Sequence, residues 1–478
     1  MNMRPLFSLV LLAAIVSSAD AKPIRNVLFI ISDDLKASAL GCYENSVCQT
    51  PNIDALARRG MVFERAYCQG TWCLPSRQSF MYSQYAGNSG QTLGEYLRQQ
   101  GTYSARVGKI FHMRVPGDII DGTDGPDVAE CWTEKFNSPG REAHTPGDYA
   151  CLNLNIFTDA PENRQSTKMP HRMFVTVQYD GDGADQPDAK SANQAIKLLR
   201  DHAASPFFLA VGLVRPHYPM VAPRKYFERY DLDSIQLPHV PDDDVLDIPD
   251  AGLQGITNAN NRIGNYPENQ KRMWQGYYAS VTFMDEQLGK ILAELDRLGI
   301  RDETAVVFTS DHGYHLGEHT HWQKKNMHEE VTRVPLIIST PDHEAGRSNS
   351  IVELVDIYPT LVDLLGNPIP KNLDGVSLTE VLADPSKKVR SSALSLDKSK
   401  GGWSYADRGE RYAYMRYADG SEELYDMQSD PGQYRNLVTS RSSNEALQMV
   451  RKRLQTKLNE RPSLRVNRKR DAAPSPSP

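Results

Sequence analysis

The chain has 478 residues, 24% of them charged and 40% apolar, which suits a soluble globular protein with one large domain and a smaller one. Its formal net charge of −6 argues against a general nucleic-acid-binding surface. No apolar run reaches the roughly 18 residues of a membrane span.

Arg4, the apolar run Leu6–Val16 and the small residues of Ala19-Asp20-Ala21 follow the order of a secretory signal over residues 1–21. The protein is therefore expected to be exported, to the periplasm, the medium or (in a eukaryote) the lysosome, without a stable membrane anchor. Asn26–Ile31 is a short apolar run bounded by polar residues, which predicts a buried parallel strand with Ser32-Asp33-Asp34 at its end. Asn52–Arg59 predicts a helix stopped by Gly60, Ser76–Tyr82 another with Pro75 in its first turn, and Thr92–Gln100 a third ending at Gly101. Ser191–Arg200 reads as a helix and Phe207–Leu213 as a strand. Trp274, Tyr277, Tyr278, Val281, Met284, Leu288, Ile291, Leu295 and Leu298 mark one face of a long amphipathic helix that Gly299 ends. Thr304–Thr309 is a strand followed at once by Ser310-Asp311-His312-Gly313, Val334–Ser339 another strand, and Ile351–Leu365 a helix.

Strands alternating with helices predict an α/β domain over residues 22–390, built on a mostly parallel sheet. Both acidic groups fall just past strand C-termini, where open α/β sheets place their ligands. From residue 391 to 460 the character changes. Arg411–Tyr417 and Glu422–Tyr425 predict a small antiparallel sheet, and Asn444–Asn459 a closing helix. Residues 461–478 are basic, then Ala/Pro/Ser-rich, and are expected to be a disordered tail. The loops Pro116–Pro170 and Leu237–Pro267 carry few periodic apolar residues and read as insertions that shape a pocket. Six cysteines in an exported chain predict disulfides; with Cys73 set aside five remain, Cys131–Cys151 is the preferred pair, Cys42 and Cys48 could close a short loop, and Cys68 is then the spare.

The most informative residues are Cys73-Leu74-Pro75-Ser76-Arg77. Alone, Cys73 would be a half-cystine or a buried thiol. It is accompanied by Asp33, Asp34 and Asp311, three carboxylates at two strand ends. A single aspartate there caps the next helix; three of them suit a hard cation such as Ca2+ or Mg2+. His312 adds a nitrogen ligand or a neighbouring contact. Arg77 lies one helical turn beyond Cys73 on the same face, and the helix N-terminus adds partial positive charge. Further cationic groups come from Gly108-Lys109-Ile110-Phe111-His112, from the proline-bounded turn Arg215-Pro216-His217-Tyr218-Pro219, and from Lys324 or its neighbour Lys325. His315, His319, His321 and His328 crowd the same region and read as pocket wall or structural.

Cys-x-Pro-Ser-Arg resembles the signature of type I sulfatases. The resemblance extends through Asn26–Leu35, Thr50–Ala57, Gly108–His112, Ser205–Pro219, Tyr277–Leu288, Phe308–His319 and Glu423–Leu437. The spacing of Lys109 and His112 is similar to that of the iduronate-2-sulfatase branch. The resemblance implies an alkaline phosphatase-like fold, its large sheet sandwiched by helices. It implies hydrolysis of sulfate esters of a sulfated oligo- or polysaccharide, in particular at 2-O-sulfated uronate, as in glycosaminoglycan degradation. It implies that a formylglycine-generating machinery oxidises Cys73 to formylglycine, whose hydrate attacks sulfur. It further implies Ca2+ held by Asp33, Asp34, Asp311, His312 and the converted Cys73. Arg77, Lys109, His112, His217 and Lys324 would then surround the sulfate, with Lys109, His217 and Lys324 touching substrate. A His217 near its ordinary pKa of ~6.5 is the expected acid for the leaving oxygen. The signature departs downstream, where the family's Leu-Thr-Gly is replaced by Met81, Tyr82 and Ser83. Two other readings of the same residues are a phosphonate or phosphodiester hydrolase of this superfamily, and a non-catalytic binder of sulfated glycans in which Cys73 stays a thiol.

Overall fold

The structure is a computed structural model and describes residues 23–165, 168–253, 261–399, 401–461 and 464. The predicted signal over residues 1–21 and nearly all of the predicted tail lie outside the described residues. Among the described residues no helix is long and apolar enough to cross a membrane.

The first apolar run forms the strand Asn26–Asp33, buried along its whole length. It lies within a nine-stranded sheet, between Thr304–Ser310 and Phe207–Pro216, both parallel to it. Tyr103–Gly108 and then Glu134–Phe136 continue the sheet in parallel on one side. On the other side Leu336–Ser339 pairs antiparallel with Thr304–Ser310, and Met61–Tyr67 antiparallel with Leu336–Ser339. Arg333–Val334 and Gly346–Glu353 complete the sheet against Met61–Tyr67.

The period of two along a strand gives each face its own core. Leu28 and Ile30 pack with Tyr277, Val281, Met284 and Leu288 of the helix Pro267–Arg297. The helix Pro187–His202 shares that layer through Ala192, Ala195 and Leu199. Val27, Phe29 and Ile31 face the opposite layer, where Phe80, Leu97 and Leu361 come from the helices Cys73–Tyr82, Leu93–Gln99 and Ile357–Leu364. Each fully buried Val, Leu, Ile or Met contributes about 1.5–3 kcal/mol, so the apolar stripes fix which helix face meets the sheet. Thr92 and Glu95 form a reciprocal capping box that starts Leu93–Gln99. Ser392–Ser399, Gly402–Gly409, Tyr412–Arg416 and Glu422–Asp426 form a separate antiparallel sheet. Its Leu394, Tyr405 and Leu424 pack on Leu447, Val450 and Leu454 of the helix Asn444–Glu460.

The fold departs from the sequence reading in several places. Ile351–Leu365 is not one helix: Ile351 and Val352, both β-branched, pair with Arg65 and Ala66 as the end of a strand, and the helix begins at Ile357. The predicted strand Val334–Ser339 is broken at Pro335, which has no N–H for the ladder. The Pro116–Pro170 insertion contributes Asp148–Cys151 and Ile156–Thr158 to a four-stranded sheet with Val175–Tyr179 and Met220–Pro223. Finally, all six cysteines are free. Cys131 packs against Thr92 Oγ1 at 2.8 Å in the main core, whereas Cys151 belongs to the separate core of the four-stranded sheet. Cys48 faces the Tyr230 hydroxyl at 3.9 Å, and the Cys42 backbone is held by Asp54.

Candidate active site

The carboxyl ends of three adjacent strands meet at one corner. Asn26–Asp33 delivers Asp33 and Asp34, Thr304–Ser310 runs into Asp311 and His312, and Phe207–Pro216 runs into His217. Tyr103–Gly108 adds Lys109. Two glycines allow this: a Cβ on Gly108 (φ +69°) would lie 2.2 Å from the Gly212 carbonyl oxygen, and one on Gly212 2.1 Å from that of Lys109. The helix carrying the signature starts at Cys73 itself, three residues before the predicted Ser76, so Cys73 stands at its N-terminus with Pro75 in the first turn. The hairpin His315–Leu316 and Trp322–Gln323 brings in Lys324.

These groups converge on the Cys73 Sγ. Lys324 Nζ lies 3.1 Å away, His312 Nε2 3.4 Å, Asp33 Oδ1 3.5 Å, Lys109 Nζ 3.7 Å and Asp34 Oδ1 4.0 Å. Of the two adjacent lysines, Lys324 therefore reaches the site, whereas the Lys325 ammonium stacks 5.3 Å from the Trp72 ring. Burial pushes the other five thiols up, but Cys73 differs. Burial and Asp33 act to raise it too, yet Lys109 and Lys324 outweigh them and hold it below the ordinary thiol value.

Arg77 makes no hydrogen bond to Sγ. Its Nε donates to Asp311 Oδ2 at 2.8 Å, Nη2 to Asp33 Oδ1 at 3.2 Å, and Nη1 to the carbonyls of Lys109 and Ile110. The guanidinium thus ties three strand ends together from a position with no solvent exposure. Lys109 Nζ bonds Asp33 Oδ2, and Lys324 Nζ donates to Asp34 Oδ1 at 2.7 Å. Burial would raise Asp33, but Lys109, His217 and Arg77 hold it well below the ordinary carboxylate range. Burial pushes Asp34 up to about 7 against the pull of Lys324 and His312. Two neighbouring carboxylates are thereby driven apart.

Asp33, Asp34, Cys73 and His312 each offer a ligand atom within 4.8 Å of the others. Three observations fit a cation there. Asp34 Oδ2 is buried without a hydrogen-bond partner. Asp34 holds a left-handed φ of +63°, uncommon for a residue with a side chain. His312 Nδ1 lies 2.9 Å from the Gly313 carbonyl oxygen, which leaves Nε2 facing the cluster. Burial lowers the His312 pKa, but Asp311, Cys73 and Asp34 push it up to about 9, so a cation would displace its Nε2 proton. Asp311 stands beside the cluster: its Oδ1 accepts the backbone N–H groups of Asp34 and His312, and its Oδ2 lies 3.6 Å from His312 Nε2.

A cavity of about 450 Å³ opens over Cys73, with His112, His217 and Lys324 in its wall. His217 Nδ1 lies 2.6 Å from the Tyr218 carbonyl oxygen, and Nε2 faces Asp34 Oδ2 at 3.7 Å. The expectation of a His217 pKa near 6.5 is corrected: burial, then Lys324, push it well below that value despite Asp33. Burial and Lys109 push His112 down to about 4. The burial of Lys324 is outweighed by Asp34 and Cys73, which raise it well above the ordinary lysine range.

Several contributors carry no local sequence signal. Glu142, deep in an insertion, holds Arg215 Nη2 through both oxygens at 3.1 Å, and Asp188 accepts the N–H groups of Val214 and Arg215. Together they fix the turn that presents His217. Trp72 and Arg172 also line the cavity. The four crowded histidines do not line it; His319 pairs with Asp244 of the second insertion and His328 with Glu423 of the C-terminal sheet.

A family model described as Sulfatase matches residues 25–367, and one described as N-sulphoglucosamine sulphohydrolase, C-terminal, matches residues 317–461. The chain is 32% identical to the iduronate 2-sulfatase of Mus musculus over 406 residues, 72% of this chain and 69% of that one. Among solved structures, a phosphonate monoester hydrolase from Silicibacter pomeroyi is similar with a TM-score of 0.75 at 22% identity, covering 91% of this chain and 95% of that one. A protein in complex with its substrate D-glucosamine-2-N,6-O-disulfate gives a TM-score of 0.72 at 20% identity, covering 94% and 100%. These two likenesses are of fold.

Proposed function

The chain belongs to the sulfatase family, has the alkaline phosphatase-like fold and hydrolyses sulfate esters, and from that premise we propose that its substrate is a sulfated carbohydrate carrying 2-O-sulfated uronate. The nucleophile in this reading is Cys73 after conversion to formylglycine by a dedicated machinery that meets the chain during export. One observation carries it: a single side chain at a helix N-terminus, ringed by Lys324, Lys109, His312 and Asp33, with a depressed pKa. The donor set supports the conversion. With a sulfur at position 73 the cluster mixes soft and hard ligands; with oxygen there it becomes predominantly hard and suits Ca2+ or Mg2+.

Asp33, Asp34 and His312, with Asp311 alongside, would hold that ion. When bound it supplies positive charge and orients the sulfate and the attacking oxygen. Lys109 and Lys324 hold the sulfuryl oxygens and offset charge that grows in the transition state. Arg77 acts as a positioning residue for Asp33 and Asp311. His112 lines the wall beside the attacking group. One hydroxyl of the hydrate at position 73 gives its proton to water and bonds to sulfur as the bond from sulfur to the sugar oxygen breaks; the second hydroxyl then loses its proton as the aldehyde reforms, the carbon–oxygen bond to the sulfate breaks, sulfate leaves, and water rehydrates the aldehyde. His217 gives its Nε2 proton to the leaving sugar oxygen. The negative charge of the bound ester favours protonation of His217.

The support for uronate is the 32% identity to an iduronate 2-sulfatase and the three-residue step from Lys109 to His112. The test joins mass spectrometry of the tryptic peptide Ala66–Arg77 to kinetics on a 2-O-sulfated uronate disaccharide and a phosphonate monoester. A peptide that has lost the sulfur of Cys73 and kept that of Cys68, with preferential sulfate release, is expected. Active protein with an intact thiol at Cys73 rejects the nucleophile, and preference for the phosphonate rejects the substrate class.

A further inference from the structure

The inner cations of the site are already paired. Lys109 meets Asp33, Lys324 meets Asp34, and Arg77 meets Asp33 and Asp311. Arg114 at the rim pairs with Asp118. Arg172, which lines the same cavity, differs. It forms no ion pair among the described residues, and its Nε is buried without an acceptor. Its guanidinium sits 6.0 Å from the Tyr218 ring centroid, and the Lys324 ammonium lies 5.6 Å from that same ring. A sulfate-holding lysine and an uncommitted arginine therefore lie against one aromatic ring. Lys325, stacked on Trp72, contributes a second cation to the wall. A half-buried guanidinium without a carboxylate partner is costly unless an anion in the cavity pairs with it, and its planar fork suits a carboxylate or a sulfate.

We propose that Arg172, assisted by Lys325, forms an anion subsite for a second negative group on the sugar that bears the scissile sulfate. The proposal rests on the sulfatase reading of the pocket. The second group is a carboxylate or another sulfate, and the arms of the test separate them. Wild-type, Arg172→Gln and Arg172→Lys proteins are assayed on a 2-O-sulfated uronate disaccharide, on D-glucosamine-2-N,6-O-disulfate and on 4-nitrophenyl sulfate, which has no second anion. Arg172→Gln is expected to lower kcat/KM for the anionic sugar, relative to 4-nitrophenyl sulfate, about 10- to 100-fold, the value of a charge-assisted hydrogen bond. Arg172→Lys should recover part of that ratio. A selective loss on the uronate identifies a carboxylate; a selective loss on the disulfate identifies a sulfate. A parallel fall on all three substrates, or none on either sugar, overturns the subsite while leaving the sulfatase reading intact. Wild-type protein that releases no sulfate from any of them removes that reading and the subsite together.

Discussion

Replacing Arg77 with Met removes the cation between Asp33 and Asp311 while keeping most of the side-chain volume. Both ion pairs are without solvent exposure. Breaking a buried pair from one side costs about 3–5 kcal/mol, because the partner charges stay buried. Unfolding entropy of about 2.1 cal/mol/K per residue gives a chain of 478 residues roughly 1.0 kcal/mol/K, so a loss of about 4 kcal/mol lowers Tm by about 4 °C. The sign of the pH dependence follows from Asp33, whose pKa is depressed in the fold by Lys109, His217 and Arg77. Its contribution to stability is present above the unfolded value of ~3.9 and is lost as pH falls through the folded value. Losing Arg77 raises the folded value and shrinks that contribution. The Tm deficit of Arg77→Met should therefore be full at pH 7 and shrink below about pH 4. Circular-dichroism melts of both proteins from pH 3.5 to pH 7.5 make the measurement. A deficit under about 1 °C at pH 7, or one that grows toward acid, would refute the clamp.

Asp34→Asn should weaken Ca2+ binding at least about tenfold, read by calorimetric titration, because it removes a carboxylate with an orphan oxygen; unchanged affinity would place the ion elsewhere. Glu142→Gln should cost about 3 kcal/mol of stability and lower kcat about tenfold by freeing Arg215 and the turn before His217; full activity in a folded variant would detach that ion pair from catalysis. Asp244→Asn should destabilise more at pH 5.5 than at pH 8.5. Burial lowers the pKa of His319, but its bond to Asp244 raises it overall. Its contribution is complete below the unfolded value of ~6.5 and disappears as pH rises through the folded one. Equal melting shifts at the two pH values would count against the pair.

Much of the frame was legible in the chain. Asn26–Ile31, Thr304–Thr309 and the stripe from Trp274 to Leu295 declared strand and helix through their own periodicity, because burial of one face imposes that period locally. Asp33, Asp34, Asp311, His312 and Cys73 were legible as a group because each follows a strand end or opens a helix, and the parallel order brings those ends together. The four-stranded sheet was not legible, since Cys151, Val175 and Met220 find one another only across insertions.

The sequence by itself determined the central strands and the long helix, the residues gathered at the strand ends and the chemistry they have in common. Only the tertiary structure decided that Lys324 rather than Lys325 reaches Cys73, that Arg77 is spent on two aspartates, that Glu142 steadies the His217 turn and that the remaining cysteines stay apart. The reason is physical. Periodicity records which side of a segment avoids water, whereas a contact between side chains a hundred residues apart depends on how whole layers pack, and no local pattern encodes that.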